Sequence, residues 1–507
     1  MKKFLKASAF ITFLVLLGKI LGLFREMLMA NIFGTSEDLD VFLLVSNVPV
    51  VIFYLIGNGV TTSLLPLLKQ SKLEGNGDLT RYRSFATFTY IGLLVGGLAL
   101  FALGHLFARE IVLLVAPGFS GHALGLATEY LRFFLLLIFF LGIEGVSTAL
   151  LQVNGHVTVP SVANFLYGLT VLVPMFFLRD QMCLDLLAVI LVCAYAVRTF
   201  TNVLCLILTD YRPVFDLGVA KPYLATLLRL APPVIAATVL IDINFLIDKS
   251  FASMVGEGVI SALNYSEKVV TLVTGTLFSA LGFVFFPFIV NKYYEDRASF
   301  HRTSNRAIQV VAACGMACSV FCCIEAHDIC VALFKSGAFN ERSVNMTTTA
   351  LVFYSFAIVT TLLRDMLKKI SFAMQDTKTP LVGSFLNCAV NVVLMAGFTQ
   401  RFGLAVITLS TTLASLIEMV FLIVALRKVE PIVNVRQFAF NSGYALGVSI
   451  LTGFLAVSIP VSLLDSERWN AFLSVGIHAV VFAVLTLLLF IPLLRLKLNN
   501  GLIRSEA

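Results

Sequence analysis

The sequence predicts an all-α, polytopic membrane protein, and three properties support that fold class. Of its 507 residues, 59% are hydrophobic and only 13% are charged, whereas about 25% are charged in an ordinary soluble protein. The mean hydropathy is +0.95. Apolar runs of roughly 20 residues or more, each long enough to cross a bilayer as a helix, recur along the whole chain. This composition excludes a soluble enzyme, a disordered chain and a disulfide scaffold.

Apolar runs separated by charged or turn-forming residues predict about 14 transmembrane helices. The breaks carry Gly, Asn, Asp and Ser, as at residues 34–38 and 74–78. The first run follows Met1-Lys2-Lys3 but is too long for the apolar core of a signal peptide, so we expect a span there. The predicted spans are 8–33, 39–67, 86–108, 125–152, 158–178, 184–208, 225–253, 259–290, 307–326, 346–367, 381–398, 403–426, 437–459 and 471–494.

The basic residues indicate the orientation, because Lys and Arg collect in the cytoplasmic loops of membrane proteins. With the N-terminus in the cytoplasm, 23 of the 36 Lys and Arg fall on the cytoplasmic side, 6 on the other side and 7 within spans. The alternation holds along the chain, so it favours an even number of spans and two cytoplasmic termini. Topology thus explains the net charge of +7, and we expect no nucleic-acid partner.

We expect two pseudo-symmetric lobes followed by two C-terminal helices. A basic stretch at 209–224 separates the sixth and seventh spans. The first and seventh spans each carry an acid–base pair near the end, Arg25-Glu26 and Asp248-Lys249, which suggests the internal repeat of many transporters. The predicted parts are residues 1–215 with spans 1–6, residues 216–430 with spans 7–12, and residues 431–507 with spans 13–14.

Seven basic residues lie within predicted spans, where an ionisable side chain is costly and commonly faces a wet interior. Lys19, Arg25 and Lys268 would suit a phosphate or pyrophosphate group if their helices lined one cavity. The alternative is neutralisation by acids on other helices or snorkelling to the interface. The seven are Lys19, Arg25, Arg132, Arg198, Lys249, Lys268 and Arg364.

Other polar residues within the spans leave further alternatives open. Asn387 and Asn391 lie one helical turn apart, and hydrogen bonding between helices is their ordinary role. A Na⁺ site is the alternative, with Asp248 as the candidate carboxylate. The acids Glu144, Glu325 and Glu418 are either proton sites or satisfied by packing.

The sequence has no G-x-x-x-x-G-K-[ST] phosphate loop and no His cluster, so we expect a transporter and not an enzyme.

Six short segments, in their order along the chain, make the sequence resemble the MurJ/MviN family. The members of that family are lipid II flippases of the multidrug/oligosaccharidyl-lipid/polysaccharide exporter superfamily. The resemblance covers about residues 5–430. The segments are Gly18-Lys-Ile-Leu-Gly-Leu-Phe-Arg25-Glu, Phe33-Gly34, Leu39-Asp40-Val-Phe, Ala116-Pro117-Gly118-Phe119, Leu333-Phe334-Lys-Ser-Gly337-Ala-Phe339 and Gln375-Asp376-Thr-Lys378-Thr-Pro380.

The resemblance implies a flippase of the bacterial cytoplasmic (inner) membrane. It would move lipid II, an undecaprenyl-pyrophosphate-linked peptidoglycan precursor, from the inner to the outer leaflet by alternating access. A cationic cavity would hold the head group, and the last two spans would form a groove for the polyprenyl tail. The implied partners are this lipid-linked glycan and membrane lipids. We expect a monomer, with the cell-wall synthesis machinery as a further partner to consider.

The resemblance also assigns site residues by position. The substrate-binding residues are Lys19, Arg25, Asp40, Glu267 and Lys268. A sodium site, found in some members of the family, would fall on Asp248, Asn387, Asn391, the Ile407 carbonyl and Thr411. No other cofactor is implied, and either Na⁺ or the membrane potential would drive transport.

The second span departs from the family pattern, which leaves other activities open. Family members usually carry basic residues a few positions after a Pro, but here Pro49 is followed by Phe53 and Tyr54. One alternative is a flippase for another polyprenyl-linked oligosaccharide of capsule or O-antigen type. A cation-coupled drug exporter would need acids in the first span, against which Lys19 and Arg25 argue. A non-transporting scaffold for envelope assembly is the third alternative.

Overall fold

The structure is a computed structural model of the chain. It describes residues 2–75, 78–209, 211–430, 432–433, 435–461, 464 and 466–502, and within these ranges it leaves the side chains of 2–9, 52–60, 62, 233–242, 283, 435 and 490–502 undescribed. Phe53 and Tyr54 therefore lie outside the described side chains.

The described residues form α-helices joined by short turns, with no strand among them. A single 3₁₀ turn lies at Arg179–Gln181. The helices are α1 Lys2–Phe33, α2 Glu37–Glu74, α3 Thr80–Leu106, α4 Ala108–Val115, α5 Gly121–Phe134, α6 Leu137–Val153, α7 Val159–Phe177, α8 Leu184–Leu208, α9 Leu217–Ser253, α10 Val259–Glu295, α11 Arg297–Ile324, α12 Ala326–Phe334, α13 Glu341–Ala373, α14 Lys378–Phe402, α15 Leu404–Val429, α16 Val435–Val457 and α17 Glu467–Leu502.

The all-α fold class is confirmed, and each predicted span falls on a long helix or, for the fourth span, on the consecutive helices α5 and α6. Within the described ranges, 11 helical segments are long and apolar enough to cross a membrane. The protein is therefore a multi-pass membrane protein, and the predicted count of 14 is not confirmed.

Polar side chains fix where several helices begin. Ser36 accepts a hydrogen bond from the Leu39 backbone N–H at 3.3 Å at the start of α2. Asp216 and Asn340 do the same for α9 and α13, at 3.2 and 3.0 Å. Asp296 accepts from Ser299 N–H at 2.9 Å at the start of α11. Each bond satisfies an N–H group that the first helical turn would otherwise leave unpaired.

The chain divides into two compact units, an N-terminal unit Met1–Ser261 and a C-terminal unit Ala262–Ala507. In the N-terminal unit α2 packs against α5, α6 and α9, around a core that includes Leu68, Phe85 and Leu150. The predicted three-part division at residues 215 and 430 stays a prediction.

In the C-terminal unit α13 packs between α11 and α15, α14 packs on α15, and α16 and α17 pack on α11 and α12 respectively. Gly315 permits the close approach of α11 and α13, since a Cβ there would lie 3.1 Å from Val359 Cα.

Candidate functional site

The first span supplies two of the predicted substrate-binding bases, Lys19 and Arg25. Both are half-buried on α1. The Arg25 guanidinium donates a hydrogen bond to Oε1 of its neighbour Glu26 at 2.5 Å, and Glu26 is buried. Arg25 Nε is buried without a hydrogen-bond partner, so the guanidinium keeps donor capacity beyond its bond to Glu26.

Arg198 on α8 forms a second charged group in the N-terminal unit. It donates a hydrogen bond to Glu144 on α6 and a longer one, 3.4 Å, to Asn164 Oδ1 on α7. Its guanidinium carbon lies 5.6 Å from the ring centroid of Tyr167 and 5.1 Å from that of Tyr195. Both distances are within cation–π range.

The two tyrosines connect this group with Arg25. Their rings pack edge to face with centroids 5.0 Å apart, and both lie within electrostatic range of Arg25. The structure therefore gathers Arg25, Arg198 and a tyrosine pair on α1, α7 and α8. Sequence analysis identified Arg198 as a base within a span but assigned no role to Tyr167 or Tyr195. The only indication for these two was a phenol group within an apolar run.

Asp40 has a different environment. It is 2% exposed, and its two carboxylate oxygens accept hydrogen bonds from the backbone N–H groups of Gly258 and Ser261, each at 2.7 Å. These N–H groups lie at the start of α10, where a negative charge also complements the helix dipole. The structure thus places this predicted substrate residue as a cap on α10, contributed by α2 from 218 residues away.

Glu267 and Lys268 are half-buried neighbours on α10, in the C-terminal unit. Tyr265, just before them, is fully buried, with its ring centroid 5.1 Å from that of Phe334 and 5.6 Å from that of Phe339. This aromatic cluster holds the turn of α10 that carries the predicted acid–base pair.

Four of the five predicted sodium ligands lie on α14 and α15, which pack against each other. Asn387, Asn391 and Ile407 are buried, and Thr411 Oγ1 donates a hydrogen bond to the Ile407 carbonyl at 3.1 Å. Amide, hydroxyl and carbonyl oxygens are chemically suitable for a hard cation. The fifth, Asp248, is half-buried on α9 in the N-terminal unit, so the complete ligand set stays a prediction.

The three acids that the sequence left without partners each face a basic side chain. Glu144 pairs with Arg198. Glu325 lies 2.7 Å from His478 Nδ1. Glu418 lies 2.7 Å from Lys368 Nζ, and the Arg364 guanidinium is 3.7 Å from its other oxygen. Neutralisation across helices, one of the alternatives left open above, thus applies to Arg198 and Arg364.

Known proteins match most of this chain. A family model described as lipid II flippase MurJ matches residues 29–483. A probable lipid II flippase MurJ of Buchnera aphidicola subsp. Baizongia pistaciae is 25% identical over 499 residues, which cover 95% of this chain and 93% of that protein.

Solved structures show the same fold. A lipid II flippase MurJ in an inward closed conformation matches with a TM-score of 0.80 and 20% identity, over 96% of this chain and 99% of that one. A multidrug resistance MATE family transporter of the MOP superfamily, in an inward-facing conformation, matches with a TM-score of 0.65 and 15% identity, over 81% and 96% of the two chains. Since the family model spans most of the sequence, this protein belongs to the lipid II flippase MurJ family.

Proposed function

We propose that the protein is a flippase that moves lipid II, the undecaprenyl-pyrophosphate-linked peptidoglycan precursor, from the inner to the outer leaflet of the bacterial cytoplasmic membrane. The match of the family model over residues 29–483 carries this proposal. The activity is transport and involves no catalytic residue. Alternating access is supported by the related MATE family fold, which is solved in both an inward-facing and an outward-facing conformation.

The bases of α1 are suited to a pyrophosphate group. Arg25 is fixed in place by Glu26, and its fork of N–H donors matches the oxygens of a phosphate group. Lys19 lies on the same helix and adds a point charge. Lys268 on α10 is proposed as a third contact, with Glu267 beside it. Asp40 acts on the site indirectly, by holding the first turn of α10.

The C-terminal helices are proposed as the polyprenyl groove. α16 and α17 pack against each other and expose large apolar side chains, among them Phe440, Phe454 and Leu487, which suit a lipid tail.

We further propose two cytoplasmic termini, from the distribution of Lys and Arg, and a monomer. Either the membrane potential or Na⁺ at the predicted ligands would drive transport.

Complementation of a bacterial strain depleted of its lipid II flippase tests the proposed function. The wild-type chain should restore growth and, in a leaflet-accessibility assay, outward exposure of lipid II. If the expressed wild-type chain restores neither, another polyprenyl-linked oligosaccharide becomes the better substrate.

Arg25→Ala tests the site itself. It should express at wild-type level yet fail to complement, because the pyrophosphate loses its bidentate partner. Arg109→Ala is the matched control, since Arg109 is an exposed base outside the predicted spans and should complement fully. Full complementation by Arg25→Ala would exclude the assigned site.

A further inference from the structure

A buried carboxylate and a buried imidazole meet in the C-terminal unit. Glu325 lies between α11 and α12 and is 3% exposed, and His478 lies on α17 and is 4% exposed. Glu325 Oε1 and His478 Nδ1 are 2.7 Å apart. The contact joins two parts of the chain that are 153 residues apart.

The hydrogen-bond geometry determines how many protons this pair holds. His478 Nε2 lies 3.0 Å from the backbone carbonyl of Ile459. A carbonyl oxygen can only accept, so Nε2 must carry a hydrogen. The remaining nitrogen, Nδ1, faces a carboxylate oxygen at hydrogen-bond distance. One more hydrogen must therefore lie between them, either on Nδ1 beside a carboxylate or on a carboxylic acid that donates to Nδ1.

Loss of that hydrogen would leave an imidazole lone pair facing a negative oxygen at 2.7 Å. Both groups are buried, so water does not screen the repulsion, and each would lose a hydrogen bond. α17 can therefore stay packed against the junction of α11 and α12 only while the pair holds one proton.

Among the side chains that the structure describes, no neighbouring charge can replace this proton. Ser474 Oγ lies 3.3 Å from His478 Nδ1 and 3.4 Å from Asp328 Oδ2. Asp328 is partly exposed and lies 3.3 Å from His327. Arg468 donates to the carbonyls of Ala332 and Leu333, at 3.1 and 3.3 Å.

The other described charged groups near this interface are also paired or distant. Lys335 pairs with Glu467 of α17 and with Glu341 of α13. The charged residues of α11 lie in its first ten residues, and the charged residue of α16, Arg436, lies in its first turn, at the opposite ends of those helices from the pair.

We propose that Glu325 and His478 form a proton-binding site, and that the shared proton fastens α17 to the junction of α11 and α12. The packing of the C-terminal helix pair then depends on pH. The site needs no substrate, so the proposal does not rest on the proposed function.

The sign of the dependence follows from proton linkage. Free in water, an imidazole titrates near pH ~6.5 and a carboxyl group near pH ~4.3, and these values describe the pair when α17 is detached. Above pH ~6.5 the detached state holds no proton on the pair, whereas the attached state holds one. Attachment should therefore weaken as pH rises from there, by up to about tenfold per pH unit. Between pH ~4.3 and ~6.5 both states hold one proton, and attachment should not change.

Hydrogen–deuterium exchange on the purified full-length protein in lipid nanodiscs tests this proposal. Protection factors of residues 467–489, corrected for the intrinsic exchange rate, should be constant from pH 5 to 6.5 and fall above it. Glu325→Gln should remove the fall, because a Gln amide donates to Nδ1 of a neutral imidazole at any of these pH values. Asp328→Asn is the matched control, since it changes the neighbouring, partly exposed acid and should keep the wild-type profile. A wild-type profile that is flat from pH 6.5 to 9, or a Glu325→Gln profile that still falls, would overturn the proposal.

Nitrogen NMR of ¹⁵N-histidine-labelled protein gives a readout that does not depend on helix packing. The His478 signal is assigned by its loss in His478→Gln. At pH 7.5 it should show either a cationic ring or a neutral ring that is hydrogen-bonded at Nδ1 to a carboxylic acid. Infrared spectroscopy would detect the carboxylic acid. A neutral ring beside an ionised Glu325 at that pH would exclude a shared proton, whatever the exchange data show.

Discussion

Replacement of Asp40 measures what its contact with α10 contributes to stability. In Asp40→Ala, the N–H groups of Gly258 and Ser261 lose acceptors that lie 2.7 Å away. A hydrogen bond to a charged group contributes about 1.5–3 kcal/mol, so two would contribute about 3–6 kcal/mol. Water that enters the vacated space recovers part of this, and we expect a loss of about 3–5 kcal/mol. Asp40→Asn keeps one acceptor oxygen and should lose about half as much.

Thermal stability in detergent is the appropriate measurement. The protein is heated for a fixed time, and the fraction that remains monodisperse on size-exclusion chromatography is plotted against temperature. The expected loss corresponds to a fall in the midpoint of roughly 5–15 °C for a unit of this size. Asp38→Asn is the matched control. Asp38 lies in the same helical turn but is half-exposed, 3.5 Å from the exposed His122, so its replacement should lower the midpoint by no more than about 2 °C.

The same variants separate a structural from a substrate-binding role for Asp40. If Asp40→Ala unfolds at the wild-type temperature but no longer complements, the carboxylate contacts substrate and does not stabilise α10. A midpoint that falls as expected, with activity recovered when Asp40→Asn is expressed at lower temperature, would support the capping role.

Two further predictions concern ion pairs of different burial. Arg198→Leu leaves Glu144 without its partner; because the two side chains are 16% and 17% exposed, we expect a loss of about 2–3 kcal/mol, less than for a fully buried pair. The double variant Arg198→Leu/Glu144→Leu should regain most of that stability in the same heating assay, and a double variant as unstable as the single one would contradict the pairing. Lys335→Ala should change stability by less than about 1 kcal/mol, and not at all in 1 M salt, because both its acidic partners are exposed. Glu341 and Glu467 raise the pKa of the Lys335 ammonium above its usual value, so any stability it adds is present at neutral pH and is lost only as pH rises through that raised pKa; a loss below pH 9 would contradict this.

The apolar runs located the helices but not their ends. The predicted third span began at residue 86, whereas α3 begins at Thr80 and includes Arg81 and Arg83. The predicted ninth span began at 307, whereas α11 begins at Arg297 after its Asp296 cap. Hydropathy detects where a segment stops being apolar. A helix continues beyond that point when side chains satisfy the N–H groups of its polar first turn, as Asp296 does for Ser299 and Asp78 does for Thr80.

The pairing of charges could not be read from the sequence. Spacing placed Lys19 and Arg25 on one helix, and it placed Asn387 and Asn391 one turn apart. It could not show that Glu144 faces Arg198, 54 residues later, or that Glu325 faces His478. Such contacts depend on how each helix is rotated about its axis, and apolar residues on all sides of a membrane helix conceal that rotation.

The contact between Asp40 and the start of α10 also imposes an order on biosynthesis. Asp40 is translated 218 residues before Gly258. At about 5–20 residues per second, roughly 10–40 s pass before the N–H groups that donate to its carboxylate have been synthesised. During that interval α2 is already in or at the membrane with a carboxylate that its final structure buries. The N-terminal unit can reach its final packing only when the first turn of α10 emerges from the ribosome, so synthesis of the C-terminal unit begins before assembly of the N-terminal unit is complete.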